Sequence, residues 1–197
     1  MTAAGLRDAA TLVLLREAEP FEILMIARNP RGRVMAGFWV FPGGVLEPGD
    51  GVGEDGVRAA AVRELAEETA ITGVRAADLV PFARWITPIS APHRFDTLFF
   101  LGRAPHGSAA SADGIEAVDA GWFSPAAALA AGADGSRPLM FPTRRTLERV
   151  MAFASIDELL ADAASRPGAP IQPRLRLPLD GRDPLLPGEP GYDAATG

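Results

Sequence analysis

The chain has 197 residues, 48% of them hydrophobic, and a formal net charge of −6, enough for one domain with a real core and a short appendage. It contains no cysteine, two histidines (His93 and His106) and 19 basic residues that are all arginine. Disulfides, zinc–thiolate centres, thiol nucleophiles, lysine-dependent phosphate loops and Schiff-base chemistry are thereby excluded, and little remains for a histidine-built site. The acidic balance argues against a nonspecific nucleic-acid partner, and no apolar run is long enough for a membrane span. The Thr11–Leu15 run lacks the flanks of a signal peptide, so a cytoplasmic enzyme is the expectation.

In chain order, Thr11–Arg16 and Phe21–Ala27 are apolar and partly β-branched around Glu17–Pro20, which predicts a hairpin. Phe38–Phe41 is a short aromatic strand running into the breaker Pro42-Gly43-Gly44, and Gly49–Gly56 is a loop rich in glycine and acid. Gly56–Thr69, dominated by Ala, Leu, Arg and Glu, is the strongest helix. Arg84–Thr87 and Phe95–Leu101 predict strands around a polar Pro88–Arg94 loop, and Ala117–Phe123 a further strand. Ser124 and Pro125 cap and open an Ala-rich helix; Thr143–Phe153 is another; Ser155 with Glu158 forms a capping box for a last one ending near Ser165. From Arg166 to Gly197 proline and glycine recur without period. This divides the chain into a domain over 1–165 and a tail or extended arm over 166–197, with α+β layers in the domain.

The chemistry concentrates on the Gly56–Thr69 helix. At about 100° per residue, Glu64, Glu67 and Glu68 fall roughly 100°, 40° and 140° from Arg63, in one stripe. Val62, Leu65, Ala66 and Thr69 take the side that packs on a sheet. Like charges at this spacing repel and weaken a helix unless something binds them, and a hard divalent cation wants such oxygen ligands. The bland alternative is a solvated charged face. The Gly43-Gly44 loop before the helix favours a site, because a backbone carbonyl can join it.

The stretch Phe41–Ile71, a glycine loop followed by Arg63-Glu-Leu-Ala-Glu-Glu68, resembles the signature of the Nudix hydrolases. The resemblance implies an α/β/α sandwich with a mixed central sheet. It implies Mg²⁺, or Mn²⁺ in its place, held by Glu64, Glu67, Glu68 and the Gly44 carbonyl. Arg63 would orient the carboxylates, and a diphosphate linkage in a small nucleoside-diphosphate derivative would be hydrolysed. Two departures stand out. Counting from Gly44 puts the acid partner of Arg63 at Asp50, whereas counting back from Arg63 puts it at Asp55. A loop insertion after an unshifted Phe41–Gly44 is the preferred explanation, and either Asp remains open. Ala70 stands where the family prefers Gly, which implies a shifted helix cap.

Arg33, Gly37 and Phe41 resemble the coenzyme A signature of the CoA-diphosphatase branch, with Asn29 where Ser or Ala is usual. Trp85-Ile-Thr-Pro88 and Arg94-Phe-Asp-Thr-Leu-Phe-Phe100 resemble its acyl-CoA members. That resemblance implies hydrolysis of CoA or acyl-CoA to adenosine 3′,5′-bisphosphate and a 4′-phosphopantetheine product, with Arg33, Gly37, Phe41 and Arg94 as substrate contacts. The alternatives are another nucleotide substrate, such as ADP-ribose or NADH, and a non-catalytic binding module, which typically loses helix carboxylates. Glu116, with Asp119, resembles the further acid that the family supplies as base or ligand; a surface strand with alternating acids is the equal alternative. Trp85, His93 and Phe95 are candidates for the pocket mouth or for the core. In the tail, Leu175, Leu177, Leu179, Leu185 and Leu186 predict an arm that pairs two copies as a homodimer.

Overall fold

The structure is a computed structural model that describes residues 5–32, 35–166, 168–176 and 183–195. Its strands are β1 (Arg7–Arg16), β2 (Glu22–Arg28), β3 (Trp39–Val40), β4 (Gly43–Val45), β5 (Val80–Ile86), β6 (Phe95–Arg103), β7 (Ala117–Phe123) and β8 (Pro170–Ile171). Its helices are α1 (Gly53–Thr69), α2 (Pro125–Ala133), α3 (Phe141–Val150) and α4 (Ile156–Ser165). The strands form one mixed sheet in the order β3-β2-β1-β6-β5-β8, with β4 added to β1 and β7 to β2. The predicted hairpin is β1 and β2, antiparallel, whereas β1 and β6 run parallel from Arg7–Phe95 to Leu15–Arg103.

Alternation along the central strands separates two cores, because successive side chains point to opposite faces. Ala10, Leu12 and Leu14 of β1 join Leu24 and Phe100 under α1, where Ala60, Ala61 and Leu65 come down on them. Val13 and Leu15 face the other way, into a second core with Ala128 of α2, Leu147 of α3 and Leu159 of α4. The result is the expected α/β/α sandwich. No helix among the described residues is long and apolar enough to cross a membrane.

Several local expectations are corrected. Gly43-Gly44 is not a breaker but the start of β4, which pairs antiparallel with Ala9–Thr11. Helix α1 begins at Gly53, within the expected loop, and α3 begins at Phe141 with a proline in its first turn. Ala70 does not shift the cap: it adopts the left-handed conformation itself, φ 58°, and its N–H donates to the Ala66 carbonyl at 3.0 Å. Ser124 and Ser155 cap α2 and α4 as expected, but the Glu158 carboxylate accepts from Ala154 and not from the cap residue.

The arm is also corrected in part. Beyond Arg166 the chain adds β8 to the edge strand β5 and joins Arg174 to Leu185. Leu185 is 4% exposed, and Leu186 packs on the α2–α4 core. Asp183 accepts from Arg144 at 2.5 Å, and the Tyr192 hydroxyl donates to the Gln172 carbonyl at 2.8 Å. Leu185 and Leu186 are thus packed within the chain itself. Leu177 and Leu179 lie outside the described residues.

Candidate active site

Helix α1 lies on β1 and β4 because its inward residues are small. Ala60 and Ala61 are fully buried, and a Cβ at Gly56 would come within 2.7 Å of the Gly51 backbone. Leu65 then reaches the sheet, and removing its side chain would cost about 2–5 kcal/mol by cavity formation. The docking brings the carboxylate stripe against β4. The Gly43 N–H donates to Glu68 Oε2 at 2.9 Å, and a Cβ at Gly44 would overlap the Glu64 carboxylate. A Cβ at Gly43 would in turn lie 2.8 Å from Thr11 Cα. The two glycines serve close approach on both sides.

Arg63 ties this corner together. Nε and Nη2 donate to Asp50 Oδ1 and Oδ2, each at 3.0 Å, and Nη2 also reaches the Val45 carbonyl at 3.1 Å. Nη1 is shared between Glu64 at 2.9 Å and Glu67 at 2.8 Å. The open question of its acid partner is thus answered by Asp50, while Asp55 is exposed in the first turn of α1. Arg63 holds the Asp50 carboxyl below its ordinary 3.8 by hydrogen bonding to the charged form, against an opposing push from burial.

Glu68 is the buried member of the stripe, 2% exposed, since it sits at the edge nearest the sheet. Burial pushes its carboxyl up to about 7, against the pull of the Gly43 N–H and of Arg28. Glu64, half-buried, is also raised by burial, with Arg63 opposing. Arg28, at the end of β2, donates to Glu68 Oε1 at 3.3 Å and to Glu116 Oε2 at 3.4 Å. A bulge aims this pair: Ala27 is opposite Asp119 but Arg28 is opposite Ala117, leaving Val118 over. The loop that carries Glu116 is fixed by Asp113, whose carboxylate accepts from Ile115, Glu116 and Ala117, and by Asn29, whose amide donates to the Ile115 carbonyl at 2.7 Å.

Among the described residues no three acids form a ready-made cation cluster. Glu64 and Glu68 meet the Gly43-Gly44 segment, whereas Glu67 is turned to Arg63 and its side chain is 58% exposed. Of the three carboxylates, the structure brings Glu64 and Glu68 together at β4, with Glu67 as their neighbour. The donor chemistry still fits a hard divalent cation: two carboxylates withdrawn from water, of which the buried Glu68 is costly to charge without one, beside the Cβ-free Gly43-Gly44 pair.

The remaining candidates separate. Phe41 is 3% exposed and packs edge-on against Phe99 in the core. Trp85 is likewise buried, edge-on to Phe141. Gly37 turns the chain after β2 with φ 77°, which glycine adopts without strain. Arg94 points its guanidinium at the Thr87 carbonyl, 3.4 Å away, while His93 and Asp119 are exposed and Phe95 is half-buried. Arg33 lies outside the described residues. Two surface hollows, one beside Phe21 and Ser155 and one beside Gly73 and Gly102, lie away from the carboxylates. Arg28, Asn29 and Asp113 were missed as site residues. Only the run Asp113-Gly-Ile-Glu116, an Asp–Gly turn before an acid, offered a signal, and Arg28 offered none beyond ending an apolar strand.

Comparison with known proteins agrees with this geometry. The NUDIX domain model matches residues 5–142. A Caenorhabditis elegans protein named "Putative nudix hydrolase 7" is 28% identical over 129 residues, covering 48% of this chain and 43% of its own. The chain thus spans less than half the length of that relative. A NUDIX hydrolase from Alicyclobacillus acidocaldarius superposes with a TM-score of 0.73 at 25% identity, over 80% of this chain and 96% of its own. The NUDIX domain of Shewanella oneidensis NrtR, crystallised with ADP ribose, shares the fold at a TM-score of 0.56 and 16% identity, over 75% and 88% of the two chains. With a family model over most of its length and its carboxylate helix docked on a glycine strand, the chain belongs to the NUDIX domain family.

Proposed function

We propose that the protein hydrolyses a diphosphate linkage in a nucleoside-diphosphate derivative, using Mg²⁺ or Mn²⁺ held by Glu64 and Glu68 with Glu67 beside them. The observation that carries this reading is the buried Glu68 carboxylate, fixed by the Gly43 N–H next to Glu64. When bound, the cation supplies charge neutralisation to the phosphate oxygens and makes water easier to deprotonate. The chain's own residues do the rest. Arg63 and Gly43 lock the carboxylates in place, so little reorganisation accompanies the reaction. Water adds to one phosphorus, the bridging P–O bond breaks, and two phosphate monoesters leave. Glu116, with its side chain 62% exposed on a braced loop, takes the proton of the attacking water.

Within this class, coenzyme A or an acyl-CoA is the substrate that the Arg33–Phe41 segment favours, giving adenosine 3′,5′-bisphosphate and a 4′-phosphopantetheine product. The only basic residues available to meet its extra 3′-phosphate are arginines. The test is a panel of CoA, acyl-CoAs, ADP-ribose, NADH and nucleoside triphosphates with Mg²⁺ or Mn²⁺, products identified by mass. Cleavage of CoA at the diphosphate supports the reading. Preference for ADP-ribose, the ligand named for the Shewanella NrtR domain, would keep the reaction and change the substrate. No metal-dependent phosphate release from any member would overturn the enzyme reading and leave a binding module.

A further inference from the structure

The two arginines of the site are held in opposite ways. Arg63 makes five donor contacts of 2.8 to 3.1 Å, with a two-point grip on Asp50. Arg28 makes two, of 3.3 and 3.4 Å, to carboxylates from different elements. Its side chain is 21% exposed, and Glu68 beneath it is 3% exposed. Among the described residues, the Glu68 carboxylate has one hydrogen-bond partner besides Arg28, the neutral Gly43 N–H. A buried carboxylate with one loosely held cation is neutralised but not committed, because long, off-optimum contacts are easily exchanged for better ones.

We infer that Arg28 is a resident counter-cation of Glu68 that a divalent metal displaces: the guanidinium neutralises the site while it is metal-free and swings outward along Glu116 when the cation takes Glu68. This rests on the metal-site reading proposed above. The displacement is local, since Glu116 already holds the second guanidinium nitrogen and is itself mostly exposed. The bulge at Val118 and the Asp113 turn keep Glu116 near enough to retain the arginine throughout. Released from Glu68, Arg28 stands at the rim of the site with a planar fork of donors suited to a phosphate. The arginine is thus a positioning residue whose two locations correspond to the empty and the loaded site.

The experiment compares Arg28→Gln, Arg28→Lys and Arg31→Gln with the wild type, the last as a control for net charge on an exposed residue near the same strand. Thermal melting with and without saturating Mn²⁺ is read beside Mn²⁺ affinity by calorimetry. Arg28→Gln should lower the metal-free Tm by roughly 3–6 °C, a deficit that mostly vanishes with Mn²⁺, and should tighten Mn²⁺ binding about three- to tenfold. Arg28→Lys should stay near the wild type, and Arg31→Gln should move neither value. An equal Tm deficit with and without Mn²⁺, or Mn²⁺ binding unchanged or weakened in Arg28→Gln, overturns the inference. Should that variant fail to fold, arginine Nε resonances of the wild type decide it: Mg²⁺ should shift Arg28 and leave Arg63 in place, and an unmoved Arg28 in a protein that binds Mg²⁺ refutes displacement. A wild type that binds neither cation brings down the metal site itself, which is a different failure.

Discussion

Asp50 and Arg63 meet in a two-point ion pair, Nε to Oδ1 and Nη2 to Oδ2, both at 3.0 Å. The Asp50 side chain is 6% exposed and that of Arg63 is 23% exposed, so the pair is shielded enough to matter. Asp50 also caps its own turn, accepting from the Glu47 N–H at 2.8 Å. One carboxylate therefore anchors both the loop before α1 and the guanidinium that orients Glu64 and Glu67.

Asp50→Asn should destabilise the protein by about 1–3 kcal/mol, because the half-buried Arg63 loses its two-point charged partner and keeps the contacts of Nη1 to Glu64 and Glu67 and of Nη2 to the Val45 carbonyl. The effect has a defined pH sign. A carboxyl whose folded pKa is depressed contributes stability above its unfolded value and loses it as pH falls through the folded one. Since Asp50 lies below 3.8 in the fold, the gap between wild type and variant should be full above pH 3.8 and close beneath it. Urea midpoints at pH 6 and pH 3 measure this; a gap that widens in acid contradicts the assignment.

Glu68→Gln should reduce kcat by roughly a hundredfold or more while leaving the metal-free Tm unchanged or higher. The reason is the same burial: an amide accepts the Gly43 N–H without the cost of a charge withdrawn from water. Melting and steady-state kinetics on one preparation check both halves. Retained turnover would place the chemistry elsewhere.

Ala70→Gly should stabilise by about 0.5–1 kcal/mol. Ala70 holds φ 58° at an exposed helix end, where a Cβ costs more than the chain entropy that glycine adds. A denaturant titration with an unchanged m-value is the measurement, and a loss of stability would mean that the left-handed cap is not adopted.

Deletion from residue 167 onward should lower stability without changing the number of subunits in the particle in solution. It strips β8 from β5 and removes Leu185 from its seat. Light scattering with thermal melting separates this from an arm that joins subunits: a halved mass in the truncated protein would restore the intersubunit reading.

The elements that could be read in advance were those with a strong period or punctuation: the β1–β2 hairpin, the Glu-rich helix, and the Ser124 and Ser155 caps. What escaped depends on partners distant in the chain. Gly43-Gly44 becomes a strand only because Ala9–Thr11 lies alongside, and the same two glycines look like a turn in isolation. Glu68 and Glu67 are neighbours on one helical stripe, yet the sheet buries one and leaves the other in water, a division no spacing rule contains. Likewise a leucine in a proline-rich arm records a need for burial without saying which chain supplies it.

The parallel pairing of β1 with β6 also sets an order on assembly. Arg7 pairs with Phe95 and Leu15 with Arg103, and the whole acidic helix lies in the stretch of chain between them. Closing so long a loop costs conformational entropy before any of its contacts forms, which makes such pairings slow steps in folding. During synthesis, Gly53–Thr69 emerges well before the strand that completes the sheet beneath it. Until that strand arrives, the sheet face under α1 lacks Phe100, and the carboxylate helix has only β1 and β4 to dock on.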